Sequence, residues 1–171
     1  MLPPIQCDLL LGVFEKCEIN EGEQLIPCIR NDENFYDIND VIGPESIEVA
    51  LDFSNNQCFI PVGFGGIESN LKFDTGAHGI ILNNGDFKKL IASGVQFRDL
   101  KLNKINFGVA NIPIETSIYN IDNFKIGDYI VNNVVIHYYP EASQSLLGIG
   151  FLKKFSNVIW DMKKENLTIT K

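Results

Sequence analysis

The amino-acid sequence is most informative in residues 69–82, which run SNLKFDTGAHGIIL. Residues 69–74 are predicted to form a strand of a hairpin, and residues 79–82 form a short apolar run typical of a buried strand. The segment Phe73–Ala77 therefore connects two predicted strands. It places Asp74 at the end of the first of them, immediately before a turn that contains Gly76.

The sequence on both sides of this stretch also predicts strands. Residues 58–64 and 69–74 flank Gly65-Gly66, a strong hairpin signal. Residues 47–53 alternate as a half-buried strand does. Towards the carboxyl end, a hairpin is predicted over 126–131, followed by strands at 133–139, 157–161 and 166–170. The chain is therefore expected to consist mainly of antiparallel β structure.

Two short helices interrupt the predicted strands. Asn83 to Asp86 provide a turn and an N-cap, the apolar residues that follow have helical spacing, and Gly94 supplies a stop. These signals predict a helix near 86–92. A second short helix is predicted near 150–155.

Two blocks of the sequence resemble a known family. Phe73-Asp74-Thr75-Gly76-Ala77 resembles the apolar-Asp-Thr-Gly-Ala signature of aspartic peptidases. Residues 145–155, SLLGIGFLKKF, with the strands that follow, resemble the closing block of bacterial retropepsin-like proteins. The strand pair predicted from 124 to 136 is similar to the one that precedes that block. The resemblance covers roughly residues 47–171 and suits one retropepsin-like lobe.

The resemblance implies a fold and an assembly. The expected fold is all-β and mainly antiparallel: a closed, acid-protease-like β-barrel that forms one retropepsin-like lobe with one or two short helices. Residues 45–171 are predicted to form this peptidase domain, and residues 1–44 an extension packed on it. The chain contains one Asp-Thr-Gly and no second copy of it. A site with two aspartates therefore requires a homodimer related by a two-fold axis.

The resemblance also implies a role for each residue of the two blocks. Asp74 is the expected catalytic residue, because two carboxylates that share a proton serve as base and acid in the hydrolysis of a polypeptide substrate. Thr75 would donate its hydroxyl to the neighbouring subunit. Gly76 and Ala77 complete the active-site loop, and Gly148 would lie beneath it, where a side chain would collide. No metal and no cofactor are expected for this chemistry.

A flap over the substrate cleft is predicted at residues 106–112, with Phe107, Gly108 and Val109 at its centre. His78 follows the Asp-Thr-Gly-Ala signature; it is assigned to the substrate cleft, with a solvent-facing structural histidine as the alternative. Gly150 stands where many bacterial relatives have an aspartate or asparagine, which would weaken the bracing of the closing helix. Trp160 is expected in the core or at the dimer interface.

Composition excludes several other classes of protein. The formal net charge is −8 and the basic residues are scattered, which argues against a nucleic-acid partner. No apolar run reaches the roughly 18 residues of a membrane span. The start of the chain lacks the basic region of a signal peptide. This favours a cytoplasmic protein by default, and an exported or periplasmic one if a targeting segment has been trimmed.

The four cysteines and two histidines lack the spacing of a zinc site. Cys7, Cys17 and Cys28 are interpreted as buried thiols, with a disulfide as the alternative in an oxidising compartment. Cys58 is interpreted as a packing residue rather than a nucleophile. Two other functions stay open: a non-catalytic, dimeric interaction module on the same fold, and an unrelated β-barrel that binds a ligand, with Asp74 as a turn residue.

Overall fold

The computed structural model describes residues 38–107 and 113–171. These residues contain a 3-10 turn at Ile38–Asp40, two helices and fourteen strands. The helices are α1 (Asn84–Ala92) and α2 (Ile149–Leu152). The strands are β1 (Val41–Ile42), β2 (Ser46–Ala50), β3 (Asp52–Ser54), β4 (Gln57–Phe64), β5 (Ile67–Asp74), β6 (Ile80–Leu82), β7 (Arg98–Phe107), β8 (Pro113–Ile121), β9 (Phe124–Ile126), β10 (Tyr129–Val131), β11 (Val134–Tyr138), β12 (Leu146–Gly148), β13 (Asn157–Asp161) and β14 (Asn166–Thr170).

The β4–β5 hairpin forms where the sequence predicts it. Gly65 and Gly66 connect the two strands with φ angles of 54° and 90°. Positive φ at both central residues gives the turn a twist that matches the twist of the strands, and glycine adopts it without steric cost. The hairpin therefore fixes the register that places Asp74 at the end of β5.

The helix α1 begins and ends at the signals that the sequence contains. Asn83 is the N-cap, and its side-chain oxygen accepts a hydrogen bond of 2.8 Å from the Asp86 backbone N–H. Gly94 follows the helix with a φ of 91°. Phe87 and Leu90 are buried, while Ile91 is 49% exposed. The helix therefore buries a narrower apolar stripe than its sequence predicts.

The strands form two sheets. The larger has the order β1-β10-β9-β4-β5-β12-β6-β11-β8-β7, with β3 paired to β4, and the smaller has the order β13-β14-β2. Most pairs are antiparallel. Two pairs are parallel, β5 with β12 and β6 with β11. The sheet is therefore mixed, because β12 returns beside β5 in the same direction after a long excursion of the chain.

Three predictions of the sequence analysis are corrected by this topology. A closed barrel is not found: within the described residues, the pairing path runs from β1 to β7 without joining its two ends. The predicted strand 47–53 is two strands in different sheets, because the chain pairs with β14 up to Ala50, where the Leu51 N–H still bonds to the Glu165 carbonyl, and with β4 from Asp52 onward. The second helix is shorter than predicted, ending at Leu152.

The core lies on one face of the larger sheet and beneath the smaller sheet. Its members have little or no exposed surface, among them Ile60, Phe64, Leu71, Ile80, Leu147 and Ile169. Tyr129 connects the two sheets. Its ring is fully buried, and its hydroxyl donates towards the Glu45 carbonyl at 2.9 Å and the Ile169 carbonyl at 3.2 Å. Buried hydroxyls need such partners, so this contact helps to fix the relative position of the sheets.

Part of the predicted N-terminal extension is described. Val41–Ile42 pairs with β10, and Val41 is buried. Residues 1–37, which include Cys7, Cys17 and Cys28, lie outside the described residues. In the part of the chain that is described, no helix is long and apolar enough to cross a membrane.

Candidate active site

Asp74 is the last residue of β5 and lies at an inner position of the larger sheet. β5 has β4 on one side and β12 on the other, and Asp74 is opposite Gly148 in the parallel pair with β12. Strand pairing on both sides holds the backbone at Asp74 in place. The side chain is half-buried. The carboxylate therefore projects from a fixed point of the sheet and remains open to solvent.

The loop after Asp74 folds back onto its carboxylate. The Gly76 N–H donates a hydrogen bond of 2.8 Å to Asp74 Oδ1, and the Ala77 N–H donates one of 3.2 Å to the Asp74 carbonyl. Such a hydrogen bond fixes the orientation of the carboxylate. The loop thus holds the Asp74 side chain through the Gly76 N–H.

The other loop residues face solvent to different extents. Thr75, Gly76 and His78 are exposed, and Ala77 is half-buried. The structure therefore places Thr75 with its side chain at the surface beside Asp74. It also places His78 at the surface, where both interpretations of this residue, substrate contact and solvent-facing histidine, are sterically allowed.

Two glycines of the closing block lie directly against this loop. A Cβ built on Gly148 would collide with the Ala77 carbonyl, and a Cβ built on Gly150 would collide with the His78 carbonyl. The Gly148 N–H also donates to the Gly79 carbonyl at 2.9 Å. Gly148 therefore lies against the backbone of Ala77 and Gly79. The contact of Gly150 was missed: its lack of a side chain lets α2 approach the loop.

The two faces of the larger sheet differ near Asp74. Strand alternation puts Leu71 and Phe73 on one face and Lys72 and Asp74 on the other. The first face is the core. On the second, a cross-strand row runs from Lys72 through Leu146, Ile81 and His137 to Ile118. Lys72, Leu146 and Ile81 are half-buried, so the face that carries Asp74 is open beside it.

The residues of this row are not among the site residues predicted from the sequence. Alternation along residues 69–74 already puts Lys72 on the face of Asp74, so that signal was present. The contributions of Leu146, Ile81 and His137 depend on strand pairing and had no local signal. His137 is buried, 3.5 Å from the Thr116 hydroxyl through its Nδ1. The row therefore combines apolar and polar side chains next to Asp74.

The predicted flap lies at the end of a long strand pair. β7 and β8 pair in antiparallel register up to Phe107 opposite Pro113. The backbone of Phe107 thus belongs to β7, whereas Gly108 and Val109 lie outside the described residues. Phe107 and Pro113, the described residues on either side of this segment, are paired with each other.

Cys58 on β4 is half-buried and free. Burial raises the pKa of its thiol above the ordinary value, and the nearby Asp52 carboxylate adds to the rise. A raised pKa disfavours the thiolate, which is the nucleophilic form. Cys58 is therefore a packing residue of β4, as the sequence suggested. Across the described residues, no cluster of three or more His, Cys, Asp or Glu side chains is placed to hold a metal ion.

Comparison with known proteins agrees with this geometry. A family model described as "Aspartyl protease" matches residues 60–151, which include Asp74 and Gly148. The fold is similar to the crystal structure of a retropepsin-like aspartic protease from Rickettsia conorii, with a TM-score of 0.52 and 23% sequence identity. That match covers 75% of this chain and 92% of the other. None of the curated proteins compared with the chain matches it.

Proposed function

The chain belongs to the aspartyl protease family, and on that premise we propose that it is an aspartic endopeptidase that works as a homodimer. Two Asp74 carboxylates, one from each subunit, would share one proton. One carboxylate would take a proton from the attacking water while the other protonates the departing nitrogen of the peptide bond. This chemistry uses the chain's own residues and a water molecule.

One observation carries the proposal. The Gly76 N–H orients the Asp74 carboxylate at the end of β5, and the sheet face beside this carboxylate is open to solvent. A general base must be held in position and must reach the reacting atoms. Gly148 and Gly150 support the loop from below. The β7–β8 hairpin would supply a flap that covers bound substrate and excludes water.

Exposed side chains near Asp74 support the dimer. Trp160 on β13 packs edge-on against Phe73, the residue before Asp74, with ring centroids 5.3 Å apart. Trp160 is 37% exposed, and its neighbours Ile159 and Met162 are 52% and 69% exposed. Trp160 is therefore not a core residue, and the alternative that it lies at the dimer interface remains. The exposed part of Trp160 beside Phe73 is apolar surface that a second copy of the chain would cover. In the proposed dimer, Thr75 would donate its hydroxyl across the two-fold axis.

Asp74→Asn tests the catalytic assignment. The amide keeps the shape of the side chain but cannot act as a base, so cleavage of a peptide library should fall by at least about a thousandfold while the fold persists. The wild-type rate should show a bell-shaped pH dependence with an acidic optimum, since two coupled carboxylates must hold a single proton. Mass spectrometry of the products and far-UV circular dichroism provide the two readouts.

Asp128→Asn is the matched control, because Asp128 is exposed in the turn between β9 and β10. It should cleave at the wild-type rate. Equal cleavage by Asp74→Asn and wild type would refute the assignment of Asp74. A folded wild-type dimer that cleaves no peptide would favour the non-catalytic interaction module instead.

A further inference from the structure

Lys72 lies on the same face of β5 as Asp74 and two residues before it. Residues two apart on a strand are separated by about 6.6 Å, which is within reach of an extended lysine side chain. Lys72 is half-buried. Its ammonium is therefore the basic group closest in sequence to Asp74 on the open face of the sheet.

The neighbours of Lys72 across the sheet are apolar. Phe59 on β4 and Leu146 on β12 are its register partners on either side. Both are half-buried, so the aliphatic part of Lys72 lies between them. Long charged side chains commonly pack in this way, with the stem against apolar groups and the charged end directed away.

The Lys72 ammonium has no acidic partner in the part of the chain that is described. The two ion pairs there join Lys101 to Asp99 and Lys164 to Asp161. The Asp74 carboxylate instead accepts a hydrogen bond from the Gly76 N–H. An ammonium that has no acidic partner among the described residues is a favourable place for a carboxylate to bind.

We propose that Lys72 is a specificity-determining residue that selects peptide substrates with an aspartate or glutamate next to the scissile bond. The inference rests on the proposed peptidase function. A peptide whose scissile carbonyl lies over Asp74 must pass along the open face of the sheet, and its adjacent side chain then lies within reach of Lys72. The two-fold axis of the dimer provides a second Lys72 on the other side of the bond.

Peptides that differ only in the residues flanking the scissile bond provide the test, with glutamate, glutamine or lysine at each position in turn. Wild type should prefer glutamate over glutamine by about tenfold in kcat/KM, which is the size of one partly shielded charge interaction. Lys72→Met should cleave the glutamate and glutamine peptides with about equal kcat/KM. Lys72→Arg should retain the glutamate preference. Lys72→Glu should instead prefer the lysine peptides. Lys88→Met, in an exposed position of α1, is the matched control and should behave as wild type.

Binding separates a failure of this inference from a failure of the proposed function. Reduced-bond peptides, which cannot be cleaved, should show the same glutamate preference in calorimetry with wild type, and Lys72→Met should lose it. This measurement does not require turnover. An equal affinity of wild type for the glutamate and glutamine peptides, or a preference that survives in Lys72→Met, would overturn the role of Lys72. The result with Asp74→Asn decides independently whether the chain is a peptidase.

Discussion

At the scale of single residues, the position of Asp74 depends on glycines that have no chemistry of their own. Gly148 and Gly150 lie so close to the loop after Asp74 that a Cβ at either would meet a backbone carbonyl, that of Ala77 or of His78. Backbone atoms cannot move aside as the end of a flexible side chain can. The close contact of Gly150 with the loop makes a glycine at this position a packing requirement of this chain.

Gly148→Ala should therefore displace the active-site loop. We expect a loss of about 1–3 kcal/mol in the free energy of unfolding, the usual cost of overpacking a well-packed site. Peptidase activity should fall at least about tenfold, because a displacement of about 1 Å of a catalytic group is sufficient for that. Thermal unfolding and kcat/KM measure the two effects.

Gly85→Ala is the control for this substitution. Gly85 lies in the first turn of α1, and a Cβ there would be 3.5 Å from the Asn83 side-chain oxygen, an ordinary contact. Alanine in a helix is more stable than glycine by roughly 0.5–1 kcal/mol. The control should thus keep its activity with an unchanged or higher melting temperature. An active and stable Gly148→Ala variant would contradict the proposed close packing.

At the scale of elements, the start of α1 is tied to the strand that carries Gly148. The buried Ser145 hydroxyl donates to Asp86 Oδ2 at 2.5 Å and accepts from the Asn83 N–H at 3.1 Å. Ser145 immediately precedes β12. The helix also packs on the sheet through Phe87, whose ring stacks on that of Tyr138 in β11 with ring centroids 4.4 Å apart. Helix and strand therefore position each other.

Asn83→Ala should weaken this connection. It removes the acceptor of the Asp86 N–H, and the loss of an N-cap typically costs about 1 kcal/mol. The melting temperature should fall, as followed by circular dichroism, while α1 remains a helix because Phe87 and Leu90 still pack. Lys88→Ala, at an exposed position of the same helix, should have a negligible effect. A larger loss in Lys88→Ala than in Asn83→Ala would contradict the capping role.

At the scale of the whole molecule, the proposed site is incomplete in one chain. The sequence contains one Asp-Thr-Gly, and the partly exposed Trp160 of β13 packs against Phe73, the residue before Asp74. A second copy would cover this surface and would supply the second carboxylate. Peptidase activity and the fraction of the protein that is dimeric should therefore change together with protein concentration.

Specific activity should fall on dilution, since a separated subunit has half of the site. Mixing equal amounts of wild type and Asp74→Asn should lower activity to about half of that of wild type alone at the same wild-type concentration, because random exchange leaves about half of the wild-type subunits in heterodimers. Sedimentation counts the subunits at each concentration. A monomer with full activity at every dilution would rule out the shared site.

Much of the local structure could be predicted from the sequence. The β4–β5 hairpin, the capped helix α1 and the strands at 157–161 and 166–170 all follow from signals within a few residues of one another. Glycines with positive φ, an N-cap asparagine and the alternation of apolar residues act locally. The Asp-Thr-Gly segment was likewise predicted to follow a strand, and it does so at the end of β5.

Tertiary structure alone decided how these elements combine. The parallel pairs β5–β12 and β6–β11 join segments that are distant along the chain, and the split of residues 47–53 between two sheets depends on β14 and β4. Alternation shows that Lys72 and Asp74 share a face, but it does not show which face is open. That depends on which distant segments cover the sheet, because burial is a property of the packed molecule rather than of the local chain.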